Sequence, residues 1–185
     1  MNELIRSDST WNGCERNVFL ANNRDGTFSD ISGITGLDFR DDSRSFSLAD
    51  LRRLPVRSQI TEVVCEEGWS YVAEWIGTPL SEVLKAAGLL PQARYVVYTS
   101  LDRDTWESID MDDALHTQTL LTYAMNDGDL PVPFGGPLRL RVPRQLGYKS
   151  VKFLTRVSVT NTLKNVGKGL GSAAAEDGYA WYAGI

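Results

Sequence analysis

Histidine and cysteine are nearly missing from this 185-residue chain: there is one histidine, His116, and two cysteines, Cys14 and Cys65. A zinc site built on histidines, or a Ser-His-Asp triad, would rest on His116 alone, which removes most hydrolase and metalloprotease chemistry. Two cysteines are too few for a disulfide scaffold, and they fall in segments of different texture, so no bridge between them is expected. No apolar run approaches the ~20 residues that cross a bilayer. The N-terminal MNELIRSDSTWNG has neither a basic start nor an apolar stretch. It therefore does not read as a signal peptide, and the default expectation is a cytoplasmic protein.

A second shortage is local. From Leu130 to Ala175 there is no Asp or Glu, while Arg139, Arg141, Arg144, Lys149, Lys152, Arg156, Lys164 and Lys168 all lie there, in a chain of net charge -5. A basic segment inside an acidic protein favours an anionic ligand; a basic solvated face is the plainer alternative. With a pI near 4.9, nucleic-acid binding has no support.

What is present divides into two textures. Residues 1–46 are rich in Asn, Asp, Gly and Ser, and NVFLANNRDGTFSDIS reads as strand, turn, strand. From Ser47 onward, SLADLRRLP predicts a short helix, and SQITEVVC with WSYVAEWIG predicts paired strands around an EEG turn. TPLSEVLKAAGLL predicts a helix with Thr78 as N-cap, Pro79 in the first turn and Gly88 at the C-terminal cap; Leu80, Val83, Leu84 and Ala87 share its apolar face. RYVVYTS and TWESID alternate as strands, MDDALHTQTLL predicts a short helix, and LTYAM with LPVP predicts a hairpin across NDG. PLRLRVP and SVKFLTRVSVTNT follow as strands, then a Gly- and Ala-rich loop. The pattern is α+β, weighted towards β, without regular βαβ alternation.

Two places invite chemistry. Cys65 ends a strand-like stretch and leads into Glu66-Glu67-Gly68. A lone cysteine there is most often a small buried hydrophobe. Its neighbouring carboxylates disfavour a free thiolate, yet a single bond to a metal whose other ligands come from a cofactor is open to it. The other place is FGGPLRLRVPRQLGYKSVKFL, residues 134–154, where glycines allow close backbone approach next to Arg and Lys. It matches neither GxxxxGK[ST] nor G-x-G-x-x-G. His116 reads either as an acid/base or as a histidine capping carbonyls at a helix end, and Trp69, Trp75, Trp106 and Trp181 read as core.

Two resemblances join these pieces. RNVFLANNRDGTFSDISGITGLDF resembles one FG-GAP (VCBS-type) β-propeller repeat; no second copy follows, so no propeller can close within this chain. From about residue 46 to 185, SLADLRRLP, ITEVVCEEGWSYVAEWIGTPLSEVLKAAG, ARYVVYTSLDR, ESIDMDDALHTQTLLTYAMNDGDLPVPFGGPLRLRVPRQLGYKSVKFLTRVSVT and GYAWYAGI resemble, in order, the sulfite-oxidase family of molybdopterin-dependent oxidoreductases. That resemblance implies the family's β-rich molybdopterin-binding fold, with residues 47–185 as the cofactor domain and 1–46 as a hairpin-like appendage. It implies molybdenum-molybdopterin as cofactor, with Cys65 as catalytic residue and the protein's ligand to molybdenum. Ser100, Arg139, Ser150, Val151 and Lys152 then fall on cofactor-binding positions. The implied reaction is two-electron oxo transfer on a small oxyanion or sulfoxide, sulfite- or sulfoxide-like. No C-x-x-C-H is present, so electrons are expected from a separate haem protein or cytochrome. Family members are often exported to the periplasm. Two departures stand out: Phe134 replaces a polar residue common before G-x-P, and the family's N-terminal part is missing upstream of a seam near Arg44–Leu48. The second departure sets up the rival expectation, a truncated or fused remnant that folds but does not retain the cofactor.

Overall fold

The computed structural model describes residues 20–22, 28–30, 44–102 and 104–185. The chain divides into two compact units, Met1–Ser45 and Phe46–Ile185. In the first, β1 (Leu20–Asn22) pairs antiparallel with β2 (Phe28–Asp30), the two strands expected from the sequence. The remainder of the propeller-like reading, and Cys14, lie outside the described residues.

The second unit begins with α1 (Leu48–Leu51), closed by a capping box in which the Ser47 hydroxyl and the Asp50 carboxylate satisfy each other's backbone N–H groups. Then come β3 (Arg57–Val64) and β4 (Ser70–Pro79), an eight-pair antiparallel hairpin around the Glu66–Gly68 turn. α2 (Leu80–Ala87) follows and ends at Gly88, whose φ of 87° is the left-handed cap the sequence called for. Its start differs by one residue from expectation. Pro79 is the N-cap, and Thr78 stays in β4, where its hydroxyl donates to Leu51 O at 2.7 Å. The strand claims Thr78 because that bond ties β4 to α1.

β5 (Tyr95–Ser100) and β6 (Trp106–Asp110) pair antiparallel, and α3 (Met111–Ala114) follows with Asp110 as N-cap. β7 (Leu120–Met125) turns into β8 (Gly128–Asp129), β9 (Arg139–Arg141) pairs back onto β7, β10 (Leu154–Thr160) pairs with β5, and α4 (Ala173–Glu176) sits in the tail. Three strand expectations were too long. LPVP forms no strand but a 3-10 turn at Val132–Phe134, because Pro131 and Pro133 have no N–H to donate to a ladder. PLRLRVP keeps only three strand residues, and SVKFLTRVSVTNT becomes strand only at Leu154. Ser150–Phe153 leaves the sheet because its polar groups are bound elsewhere, as described below. Among the described residues no helix is long and apolar enough to cross a membrane.

Within the second unit two sheets result, β10-β5-β6 and β3-β4-β7-β8 with β9 on β7; neither closes into a barrel. Every residue of β7 except Ala124 is buried, because both of its faces are covered. One face meets the main core: Leu121 and Tyr123 pack with Leu140 and Val142 of β9, Val96 and Tyr98 of β5, and Leu80, Val83 and Leu84 of α2. The opposite face of β3 and β4 carries a second cluster, Val63, Ala73, Trp75, Met125 and Leu130, with Tyr71 and Phe134 at its margin.

A buried ion pair fastens the segment after β9 to β6. Lys149 is wholly buried in a 3-10 turn, Gly147–Lys149, and its ammonium donates to a Glu107 carboxylate oxygen at 2.8 Å and to Ser108 O at 3.0 Å. Glu107 also accepts from Ser172 Oγ and, at 3.0 Å, from Ala174 N. Burial pushes the Lys149 ammonium below its ordinary pKa and the Glu107 charge opposes this. Removing one partner of such a pair leaves a buried charge unpaired, which costs about 3–5 kcal/mol. Glu107→Gln is therefore expected to lower unfolding free energy by that amount in urea titrations; a loss below about 1 kcal/mol would contradict a buried pair.

Candidate functional site around Cys65 and two buried arginines

β9 places Arg139 and Arg141 two residues apart, so both side chains leave the same face of the strand while Leu140 enters the main core. They emerge on the Trp75 side, and each guanidinium carbon lies 5.2 Å from the Trp75 ring centroid. Arg139 is 3% exposed and Arg141 1%. Arg139 donates to Phe134 O at 2.8 Å and to Ser150 O at 2.7 Å. Arg141 donates to Ser150 Oγ at 3.0 Å and to Glu62 O at 2.6 Å.

The last bond describes the shape of the sheet. Between β9 and β3 lie β7 and β4, which in a flat sheet is about 14 Å, longer than an arginine side chain. The sheet must curl over Trp75 for Arg141 to reach the edge strand. Arg141 thereby links β3, three residues before Cys65, to Ser150.

Neither guanidinium has a carboxylate partner among the described residues, and each has a buried Nε with no hydrogen-bond acceptor. Burial drives the pKa of both below the usual arginine value; that of Arg141 is pushed down to about 10, with the Arg139 charge adding to the effect. Desolvating an ion costs several kcal/mol. Two charge-assisted hydrogen bonds return about 1.5–3 kcal/mol each and the Trp75 ring about 0.5–2. That roughly balances one isolated cation, but leaves the mutual repulsion and the two Nε donors unmet.

Cys65 directly follows β3 as a half-buried free thiol. Its backbone N donates to Trp69 O at 2.9 Å, and Gly68 N donates to Cys65 O at 3.1 Å, closing the hairpin mouth. The thiol donates to Glu66 Oε2 at 3.4 Å and lies 3.8 Å from Glu67 Oε2. Burial pushes the thiol pKa up; the Glu67 backbone N–H opposes this, and the two carboxylates reinforce it. A free nucleophilic thiolate is disfavoured, whereas a bound metal would replace the proton. No group of three or more His, Cys, Asp or Glu that could hold a metal occurs among the described residues, so Cys65 offers one soft ligand and no more.

Glycines bring the remaining pieces close. A Cβ on Gly147 would lie 3.3 Å from Val64 O and 3.7 Å from Cys65 Cα, so the GYKSVK turn abuts the cysteine strand. Gly135 has φ 100° and a Cβ there would overlap the Lys152 side chain; one on Gly136 would meet Leu130 O. The close approach expected of FGG is thus used for fitting chain against chain.

The residues singled out in the sequence fall into different situations. Ser150 is buried with its hydroxyl accepting from Val142 N and Arg141 and its carbonyl accepting from Arg139, so it orients the two arginines. Val151 puts its side chain into the main core, and its carbonyl accepts from Leu140 N at 3.0 Å. Lys152 is exposed, donates to Pro133 O at 2.8 Å and has its pKa lowered, first by burial and then by the Arg139 charge. Ser100 is buried at the end of β5, with Leu101 N bonded to Phe153 O, but shares no hydrogen bond with Cys65 or Arg139. Phe134, the apolar departure, packs edge-on to Tyr71 at 5.8 Å.

Arg141 was missed as a site residue; its spacing from Arg139 on a strand was the available signal. Trp69 is not core as expected but 49% exposed. The His116 Nδ1 accepts from Gln118 N at 3.3 Å rather than capping carbonyls.

Comparison with known proteins adds the family. The "Oxidoreductase molybdopterin binding domain" model matches residues 33–166. It enters the segment that resembled a propeller repeat, and the propeller resemblance gains no support. YedZ1 of Azospira oryzae, named as a protein-methionine-sulfoxide reductase subunit, is 36% identical over 155 residues, covering 84% of this chain and 55% of that protein. The protein-methionine-sulfoxide reductase catalytic subunit MsrP of Ralstonia nicotianae is 33% identical over 129 residues, covering 62% of this chain and 39% of that protein. The chain therefore spans about half the length, or less, of these curated relatives. The crystal structure of the sulfane dehydrogenase SoxCD from Paracoccus pantotrophus superposes with a TM-score of 0.60 at 24% identity, covering 63% of this chain and 35% of that one, which establishes a shared fold. With more than half its residues matched and the same fold in a solved structure, the chain belongs to the oxidoreductase molybdopterin binding domain family.

Proposed function

We propose that this chain holds molybdenum-molybdopterin through Cys65 and serves two-electron oxo transfer on a small sulfoxide-type substrate. The observation that carries the reading is the buried Arg139–Arg141 pair, which has no carboxylate partner among the described residues and retains two unmet Nε donors beside the Cys65 turn. Those groups fit an anionic, metal-bearing cofactor: the cations answer its negative charge, and the thiolate gives molybdenum one soft ligand. The cofactor, when bound, supplies the redox and oxo-transfer chemistry.

The protein's part is binding and orientation. Arg139 and Arg141 provide fixed positive charge in a low-dielectric setting, where it acts more strongly than in water. Ser150 holds both guanidiniums in place, Lys152 adds a solvent-side cation, and Ser100 and the Val151 backbone shape the adjoining walls. The names of the relatives favour a sulfoxide over sulfite as substrate, and so does the acidic Glu66-Glu67 turn at Cys65. Electrons would come from a separate haem protein or cytochrome.

The test is cofactor retention followed by turnover. Purified from a host that makes the cofactor, the chain is expected to reduce peptide methionine sulfoxide with a reduced viologen dye. Arg139→Met and Arg141→Met each delete a charge-assisted contact or its support, and are expected to weaken pterin retention about ten-fold or more. Pterin bound equally by parent and by the double variant would remove the central support for this reading and favour a folded remnant.

A further inference from the structure

Trp69 is the largest side chain at the Cys65 mouth, and it is half exposed. Single exposed aromatics are common and mean little by themselves. This one is held in place on every side but one. Its carbonyl accepts from Cys65 N, so the two residues face each other across the hairpin end. Its indole Nε1 donates to Glu67 Oε2 at 2.9 Å, the same oxygen that lies 3.8 Å from Cys65 Sγ. Its ring stacks on Tyr71, centroids 5.9 Å apart and planes 19° apart, and Tyr71 in turn meets Trp75 and Phe134. The polar handle of the indole is thus already satisfied, and the part left to solvent is an apolar π-face fixed beside the candidate metal ligand.

Charge at this mouth narrows what would lie on that face. Glu66 and Glu67 both border the Cys65 thiol, so an anion approaching along Trp69 is repelled, whereas a neutral, dipolar molecule is not. A sulfoxide is neutral, carries a polarised S–O bond for the metal side, and presents S-bound methyl and methylene groups on its other flank. Sulfur-bound groups pack favourably on aromatic rings.

We propose that Trp69 is a specificity-determining residue whose exposed indole face, backed by Tyr71 beside Cys65, seats the S-methyl flank of a methionine sulfoxide side chain. The inference rests on the sulfoxide reading given above and assigns its apolar subsite. Phe134 takes part indirectly: as an aromatic rather than a polar residue it buttresses Tyr71 and extends the apolar backing.

The experiment uses the cofactor-loaded chain, a methionine-sulfoxide peptide and a reduced viologen dye. Trp69→Ala is expected to raise KM about three- to ten-fold with kcat changed less than about two-fold, and Trp69→Phe to restore most of the loss. Molybdenum content should match the parent, while the thermal midpoint of Trp69→Ala should fall only by the loss of one stacked ring and one surface hydrogen bond. Saturation-transfer NMR on the S-methyl protons of the same peptide gives a readout free of turnover, and should show transfer in the parent and in Trp69→Phe but not in Trp69→Ala. An unchanged KM and unchanged methyl transfer in Trp69→Ala would overturn the proposal. So would Trp69→Phe failing as fully as Trp69→Ala, which would assign the effect to the Glu67 hydrogen bond. A parent that shows Trp69-dependent methyl transfer yet no reduction would sink the oxo-transfer reading alone. Tighter binding of sulfite than of the peptide would overturn the substrate class.

Discussion

Two guanidiniums buried against one tryptophan, with no carboxylate among the described residues to answer them, set the terms for the rest of this domain. Arg139 and Arg141 share a strand face, a ring and a supporting serine. Keeping them there requires Ser150–Phe153 to leave the β10 ladder, because the Ser150 hydroxyl and carbonyl are spent on the arginines. It requires the sheet to curl, because Arg141 reaches Glu62 O on the far edge strand. It requires Gly135 and Gly136, because the chain next to Phe134 O must pass close to Lys152 and Leu130. A protein whose only task was to fold would gain by replacing such cations with apolar side chains. Their presence is intelligible if an anion completes them.

The site is electrically divided. Its floor is cationic and buried; its mouth, at the end of β3, is acidic and open. Cys65 stands at the border, with its Cα against Gly147 on the basic side and its thiol facing Glu66 and Glu67 on the other. That polarity suits an anionic cofactor below and a neutral substrate above. The buried Lys149–Glu107 pair belongs to neither part. It clamps the Gly147–Lys149 turn to β6, and so sets the position of the residue that abuts Cys65.

Much of this was legible in the residues. The alternation of RYVVYTS produced β5 with its buried Val96, Tyr98 and Ser100, and the apolar spacing in LSEVLKAA with Gly88 produced α2. The GG and GYKS stretches were visible as places of close approach, and Cys65 as a single-ligand candidate. Other features depended on tertiary contacts that no local pattern carries. Thr78 looked like a helix cap but was claimed by Leu51 O, a residue 27 positions earlier. Ser150 read as a cofactor contact, and tertiary contacts add a task the sequence did not show, holding Arg139 and Arg141 through its carbonyl and hydroxyl. Arg141 looked like one more cation in a basic segment until its alignment with Arg139 over Trp75 was apparent. Trp69 looked like core because tryptophan usually is; its exposure follows from the tight turn at Gly68, which leaves it at the hairpin mouth.

In the reading proposed here, Cys65 and the arginine floor hold two ends of one cofactor. The most direct measurement is the molar content of molybdenum and of pterin, determined separately, in the purified chain and in Cys65→Ser. A cofactor held at both ends should give about one of each per chain in the parent, and in Cys65→Ser a loss of molybdenum that exceeds any loss of pterin, because the arginine floor is untouched. A parent chain that binds neither, or a Cys65→Ser variant with its molybdenum intact, would contradict it.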